Sequence, residues 1–186
     1  MPHITPPNYR TLHDQPIVEQ DIGKGERAIF RTVQEMRKII SESSKNPKVR
    51  EWARNILDGI QVNNKTNEAT AIHNFVRDNV RYTRDPHGWE YIQTPPLLLA
   101  GIAESLRGEG PRPIGDCDDM TTLTLSLMKS VGFPVVIKTV GYGPVFSHVY
   151  GMVYVNGQWI PTDTVRPDKW ISWEAPNIRK VFEVGV

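Results

Sequence analysis

The chain has 186 residues and balanced charge, with 22 Lys and Arg against 21 Asp and Glu. This length allows one domain with a full hydrophobic core, and the balance lacks the basic excess that favours nucleic acid binding. The sequence contains no run of about 18 apolar residues, so we expect no membrane span. The single cysteine excludes an intramolecular disulfide and a multi-thiolate metal site.

The N-terminal stretch, residues 1–24, is rich in proline and has few periodic apolar residues. This composition predicts an extended arm, followed by a single domain over residues 25–186. The stretch also lacks a charged segment followed by an apolar one, so we expect no secretion signal.

Three helices are predicted next, because apolar residues recur at three- and four-residue spacing. The first starts at Glu26 and ends in the serine-rich residues 41–45, and the second starts at Pro47. Thr66 is the predicted cap of the third. His73 lies beside the apolar stripe of that helix, where we expect a partly exposed structural histidine.

The middle of the chain alternates loops with short elements. Residues 80–83 predict a short extended piece, and residues 87–93 predict a loop with two aromatics. Thr94 followed by proline predicts the start of a helix that runs through residues 97–107. A Gly- and Pro-rich loop, residues 108–115, leads from that helix to the cysteine.

A further helix starts at the cysteine, because apolar residues recur from 120 to 131 after a loop that cannot be helical. Asp116 is the predicted N-cap, and Asp119 is the matching third residue of a capping box. Cys117 lies in the first turn, where the helix dipole favours a thiolate. The neighbouring carboxylates raise the pKa of a thiol, so a reactive Cys117 needs a histidine partner.

The C-terminal part is predicted to form strands. Residues 135–140 are β-branched and apolar, and residues 146–155 and 158–165 flank Asn-Gly, a strong hairpin signal. A loop that includes Trp170 is expected to pack its aromatics on the core, and residues 180–184 predict a last strand. Helices first and strands afterwards indicate an α+β fold.

The hairpin brings two polar side chains to one face. Its two-residue loop fixes a register in which Asp163 opposes Tyr150, so Asp163 is the diagonal neighbour of His148 on the same face. A carboxylate there can orient the imidazole, which can take the thiol proton of Cys117 for attack on an acyl carbon. Each residue alone has a structural alternative: a core cysteine, a packed histidine or a turn aspartate.

Three motifs resemble those of the transglutaminase-like superfamily of papain-type Cys-His-Asp enzymes: residues 115–119, 147–149 and 159–163. The similarity covers about residues 66–170, and the chain is particularly similar to small transglutaminase-like proteins of tailed bacteriophages. The resemblance implies a cysteine helix packed on an antiparallel sheet.

The resemblance also implies a role for each residue of the triad. Cys117 is the nucleophile, His148 is the general base and acid, and Asp163 orients His148. No cofactor is expected. For the oxyanion, the backbone N–H of Cys117 is a natural donor, with Gln93 as the side-chain candidate and Trp89 as the runner-up.

The same triad serves hydrolysis and acyl transfer, which differ in whether water or an amine resolves the thioester. The animal transglutaminases need calcium and large accessory domains, for which this chain has no room. We therefore favour a cysteine peptidase or amidase acting on a peptide or protein, with transglutaminase activity as an alternative. Asp116, Asp118 and Asp119 are expected to cap the helix rather than bind a metal. A phosphatase of the haloacid dehalogenase type is excluded. Its first aspartate must end a hydrophobic strand, whereas Asp116 follows the Gly- and Pro-rich loop at residues 108–115.

The other alternative is a structural or assembly protein of a phage particle, in which the arm at residues 1–24 grips phage structural proteins. In that case the triad is vestigial or secondary. The expected location is the bacterial host cytoplasm or the virion, and neither nucleic acid nor a membrane is an expected partner.

Overall fold

The computed structural model describes residues 18–19, 26–84 and 91–186, which form five helices and eight strands. The elements in chain order are β1 (Val18–Glu19), α1 (Glu26–Ser43), α2 (Pro47–Ile56), α3 (Lys65–Asn79), β2 (Arg81–Tyr82), β3 (Tyr91–Ile92), α4 (Pro95–Leu106), β4 (Ile114–Gly115), α5 (Cys117–Ser130), β5 (Val135–Gly141), β6 (His148–Val155), β7 (Gln158–Thr162) and β8 (Lys180–Gly185). Helices precede the main sheet, which confirms the predicted α+β class. No helix in these ranges is long and apolar enough to cross a bilayer.

The helix starts follow local chemistry. Pro47 occupies the first position of α2, and the side chain of Asn46 accepts the backbone N–H of Lys48 at 2.9 Å. In α3 the cap is Asn64, whose side chain accepts the N–H of Asn67 at 3.1 Å. The prediction of Thr66 as the cap is therefore wrong: the helix already begins at Lys65, two residues earlier than a cap at Thr66 would allow, because Asn64 supplies the capping oxygen.

The main sheet has the strand order β7-β6-β5-β8, and every neighbouring pair is antiparallel. The turn between β6 and β7 has positive φ at both Asn156 (49°) and Gly157 (88°), as a two-residue hairpin loop requires. Gly151 pairs with Thr162, which is the predicted register. Pro161 lies on the edge strand β7, where its missing N–H is tolerated.

The core is built around α5, which is buried along its length except at Cys117 and Lys129. The helix contacts β6 directly, because a Cβ added to Gly151 would overlap the side chain of Leu125. The hydroxyl of Thr121 donates to a backbone carbonyl of the same strand. Side chains from α1, α2, α3 and α4 fill the other sides of the helix. The predicted packing of a cysteine helix on an antiparallel sheet is therefore confirmed.

Two short strand pairs lie beside the cysteine turn. β2 runs parallel to β4 and pairs Tyr82 with Gly115, and β1 runs antiparallel to β3. The predicted loops at 87–93 and 108–115 therefore each end in a short strand, because tertiary pairing supplies hydrogen bonds that a local pattern does not reveal. Of the predicted arm, residues 18–19 are described, and the remainder lies outside the described residues.

The loop between β7 and β8 covers the sheet in a way the sequence did not predict. Ile171 is buried, whereas Trp170 is 63% exposed, so the expected core packing of Trp170 is wrong. The next aromatic, Trp173, lies under two cations, with Arg166 at 5.6 Å and Lys169 at 5.2 Å from its ring centroid. The smaller Ile171 takes the core position instead.

Candidate active site

The cysteine turn is held by a reciprocal capping box. The side chain of Asp116 accepts the backbone N–H groups of Asp118 (3.0 Å) and Asp119 (3.4 Å). The carboxylate of Asp119 accepts the N–H of Asp116 at 3.2 Å in return. The first turn of α5 is therefore fixed on both sides of Cys117.

Cys117 itself is partly exposed at the tip of an otherwise buried helix. Tyr82 of β2 lies close by: burial raises the pKa of its phenol, and the charges of Cys117 and Asp116 add to the increase. Near the hairpin, burial raises the pKa of Tyr142, and the charge of Asp163 adds to it. Two half-exposed tyrosines therefore lie beside the cysteine and the aspartate.

His148 and Asp163 are joined by a hydrogen bond. The imidazole Nε2 lies 2.8 Å from Asp163 Oδ2, and the two side chains are 14% and 5% exposed. The other carboxylate oxygen of Asp163 accepts the backbone N–H of Val165 at 3.3 Å. The carboxylate is thus held at both oxygens, and it fixes the orientation of the ring.

The imidazole also lies beside Tyr150, which the predicted register places on the same face, and Tyr150 connects it to Glu174 and Lys138, which were not predicted. The ring of Tyr150 lies 5.6 Å from that of His148, and its hydroxyl donates to Glu174. Lys138 Nζ donates to the same carboxylate at 2.9 Å. Strand alternation predicts Tyr150 on the face of His148, whereas no local pattern links Glu174 to this strand.

The direction of α5 relative to β6 follows from two contacts. The hydroxyl of Thr121 donates to the carbonyl of Val149 at 3.2 Å, and Leu125 packs against Gly151. From Thr121 to Leu125 the helix advances about 6 Å, and from Val149 to Gly151 the strand advances about 6.6 Å, nearly the same distance. The helix and the strand therefore run side by side in the same direction.

The same spacing places Cys117, one helical turn before Thr121, level with the start of β6, where His148 is the first residue. Gly151 faces α5, so strand alternation directs His148 to the opposite face of the sheet. The thiol and the imidazole can therefore meet only beyond the edge formed by the start of β6, where no strand separates the two faces of the sheet.

Gln93 is hydrogen-bonded to Asp119 twice. Its backbone N–H donates to Oδ1 at 2.6 Å, and its side-chain Nε2 donates to Oδ2 at 2.8 Å. Nε2 also donates to the carbonyl of Ile114 at 2.9 Å. Both amide hydrogens are thus engaged, so an oxyanion role for Gln93 requires the release of one of them. The alternative, Trp89, lies outside the described residues.

The carboxylates of Asp116, Asp118 and Asp119 lie within 4.8 Å of one another, the spacing of a metal site. Oxygens of all three accept backbone N–H groups of the helix start or of Gln93. Burial raises the pKa of Asp119 to about 7, with the hydrogen bonds from Gln93 opposing the increase. These contacts support capping as the role of the cluster.

His73 is fully buried, so the expectation of a partly exposed histidine is wrong. Its Nδ1 lies 3.0 Å from the hydroxyl of Thr162, the residue before Asp163 at the end of β7. Burial, together with the charge of Arg77, lowers the pKa of His73 to about 4. The neutral imidazole therefore joins α3 to the strand that carries Asp163.

The lowered pKa of His73 predicts that the folded protein loses stability in acid. Unfolded His73 takes up a proton below pH ~6.5, whereas the folded residue stays neutral down to about 4. The free energy of unfolding should therefore fall by about 3 kcal/mol between pH 7 and pH 4 through this group. Urea denaturation of the wild type and of His73→Gln checks it: the variant should lack this loss, and parallel pH profiles would contradict the prediction.

Comparison with known proteins identifies the family of this chain. The model of the transglutaminase-like superfamily matches residues 50–164 of this chain. No curated protein is similar enough to count as a match.

Two solved structures are similar to this one. A candidate cysteine protease from Cytophaga hutchinsonii has 16% sequence identity and a TM-score of 0.48, and the match covers 82% of this chain and 53% of that one. A candidate protease from Parabacteroides distasonis has 12% identity and a TM-score of 0.49, and the match covers 70% of this chain and 25% of that one. The matches thus span about half and a quarter of the lengths of those two chains.

Proposed function

Because the chain belongs to the transglutaminase-like superfamily, we propose that it is a thiol-dependent hydrolase of peptide or amide bonds. Cys117, His148 and Asp163 form its triad. The observation that carries the proposal is the 2.8 Å hydrogen bond between His148 Nε2 and Asp163 Oδ2. It lies at the end of the sheet that is level with Cys117. A buried carboxylate bound to a partly exposed imidazole is the arrangement that a thiol nucleophile needs.

The proposed mechanism assigns one role to each nitrogen of the ring. Nε2–H donates to Asp163, so Nδ1 is the nitrogen that takes the thiol proton of Cys117. The thiolate attacks the acyl carbon, and Nδ1–H protonates the departing amine as the C–N bond breaks. Water then attacks the thioester, gives its proton to His148, and releases the acid and the thiol.

The local charges make the imidazole essential. Asp116, Asp118 and Asp119 place negative charge around Cys117, which disfavours a thiolate. The positive end of the α5 dipole opposes this effect only partly, since a helix terminus is equivalent to roughly half an elementary charge. A full positive charge on His148 supplies the rest of the stabilisation that the thiolate of Cys117 needs.

Two half-exposed tyrosines support a peptide as the substrate. Tyr82 lies beside Cys117, and Tyr142 lies near Asp163. Aromatic rings offer apolar area together with a polar tip, which suits an extended peptide that carries apolar side chains. The partner is therefore a peptide or protein.

A thiol-directed probe tests the proposal. We expect iodoacetamide-alkyne to label Cys117 faster than it labels a free cysteine peptide, and His148→Ala to remove the acceleration. Tyr154→Ala, which removes a 41% exposed ring from the same face of β6 but at the far end of the strand, is the matched control and should label as the wild type does. If the wild type labels no faster than the peptide, the enzymatic proposal is wrong.

Acyl transfer and a structural role are separated by two further measurements. Mass spectrometry of products formed with a glutamine-containing peptide and excess methylamine shows whether water or an amine resolves the thioester. A stable complex with a phage capsid or tail protein, together with an unreactive Cys117, would favour the structural alternative. The gripping role of the arm remains a prediction.

A further inference from the structure

Asp119 is tied to a segment far from it in the sequence. Its carboxylate accepts the backbone N–H of Gln93 at 2.6 Å, the side-chain Nε2 of Gln93 at 2.8 Å and the N–H of Asp116 at 3.2 Å. Nε2 of Gln93 extends the connection to the carbonyl of Ile114. We call Asp119 and Gln93 the clamp, since together they bind the residue after β3 to the turn before α5.

We propose that Asp119 is a positioning residue: through the clamp it holds the first turn of α5, and with it the thiol and backbone N–H of Cys117, in the orientation required for acylation. This proposal rests on the proposed function, because it assumes that Cys117 attacks an acyl carbon.

The burial of Asp119 exceeds what a helix cap needs. The residue is 1% exposed, and a buried carboxylate is costly unless hydrogen bonds satisfy it. Gly115 makes the close approach possible, because a Cβ there would lie 3.0 Å from Asp119 Cβ and 3.2 Å from its Oδ2. The carboxylate therefore lies directly against the backbone that leads into Cys117.

The charge of Asp119 cannot be what benefits the thiol. Asp116 and Asp118 already place negative charge at the same helix start, and Asp119 adds to it. An added carboxylate disfavours the thiolate of Cys117. The benefit must therefore be geometric, and it should appear in reactions that need an aligned oxyanion donor rather than in reactions that need only a thiolate.

Two reagents separate these effects. Iodoacetamide alkylates a thiolate without forming an oxyanion, whereas p-nitrophenyl acetate acylates it through a tetrahedral intermediate. In Asp119→Asn we expect the rate of acylation to fall about tenfold or more, because small displacements of reacting groups are costly. The alkylation rate should stay within about twofold of the wild type, the usual error between independent effects, or rise.

Two further variants complete the test. Asp118→Asn removes the same charge next to Cys117 but keeps a side-chain oxygen that can accept the N–H of Asp119. The clamp therefore stays in place, and the ratio of acylation to alkylation should equal that of the wild type. Gln93→Leu should lower the ratio as Asp119→Asn does, and the double variant should be no worse than the more severe single one. Thermal unfolding verifies that each variant folds. If Asp119→Asn does not fold, Gly115→Ala carries the test, because its added Cβ would lie 3.0 Å from Asp119 Cβ and displace the carboxylate while Gln93 stays intact; the ratio should fall in this variant too.

The outcomes are distinct. Equal losses of acylation and alkylation in Asp119→Asn, or a lowered ratio in Asp118→Asn, would overturn the clamp while leaving the proposed function standing. A wild-type Cys117 that reacts with both reagents no faster than a free thiol peptide would overturn both.

Discussion

Cys117→Ala is expected to abolish hydrolysis, lowering kcat/KM by about 10⁴-fold or more, because the variant has no atom that can form the thioester. The substitution should leave the fold intact. The side chain lies at the partly exposed tip of α5, and alanine is a good helix former. Peptide hydrolysis and thermal unfolding, measured on the same preparation, check both halves of this expectation.

The control for this variant is Cys117→Ser, which keeps the size of the side chain but replaces the thiol with a far weaker nucleophile. It should be nearly as inactive as Cys117→Ala. Unchanged turnover in the alanine variant would show that the hydrolysis arises elsewhere, and it would end the enzymatic account of this site.

His148→Ala is expected to lower hydrolysis by about 10²–10⁴-fold, the usual contribution of a general acid and base. The loss should not add to that of Cys117→Ala, because the two residues act as a unit. Steady-state kinetics of both single variants and the double variant check this. A double variant much worse than either single one would contradict joint action.

Asp163→Asn provides a finer control for the same unit. The asparagine has the size of the aspartate and can still contact Nε2, but it cannot stabilise the imidazolium as a carboxylate does. Activity between that of the wild type and His148→Ala is expected. Full activity would show that the 2.8 Å bond is only structural.

The hairpin and the cysteine helix could be predicted from sequence because their signals are local. Asn156 and Gly157 demand a two-residue loop, and that loop fixes every pair along β6 and β7. The capping residues Asp116 and Asp119 lie within one turn of each other. The side-by-side placement of His148 and Asp163 follows from the register alone.

Other contacts depend on residues that are distant in the sequence. Glu174 reaches Tyr150 from a loop beyond β7, and Gln93 reaches Asp119 from another segment. Strands of two residues, such as β2 and β4, exist only because they pair with each other. The cap of α3 was mispredicted because Asn64 and Thr66 are both suitable residues, and only the start of the helix decides between them.

The family is established by a match across most of the motif-bearing region, residues 50–164. The narrower resemblance to phage proteins concerns general character rather than particular residues, and it remains a prediction. The predicted arm remains one as well, since most of residues 1–24 lie outside the described ranges.

The pairing of thiol and imidazole is tested most directly by the pH profile of Cys117 alkylation with iodoacetamide, in the wild type and in His148→Ala. The account predicts that the wild type reacts well below pH ~8.5, the ordinary pKa of a cysteine, because the imidazolium stabilises the thiolate. In His148→Ala the profile should become a single rise at or above pH ~8.5. Identical profiles with one rise near pH ~8.5 in both proteins would contradict it.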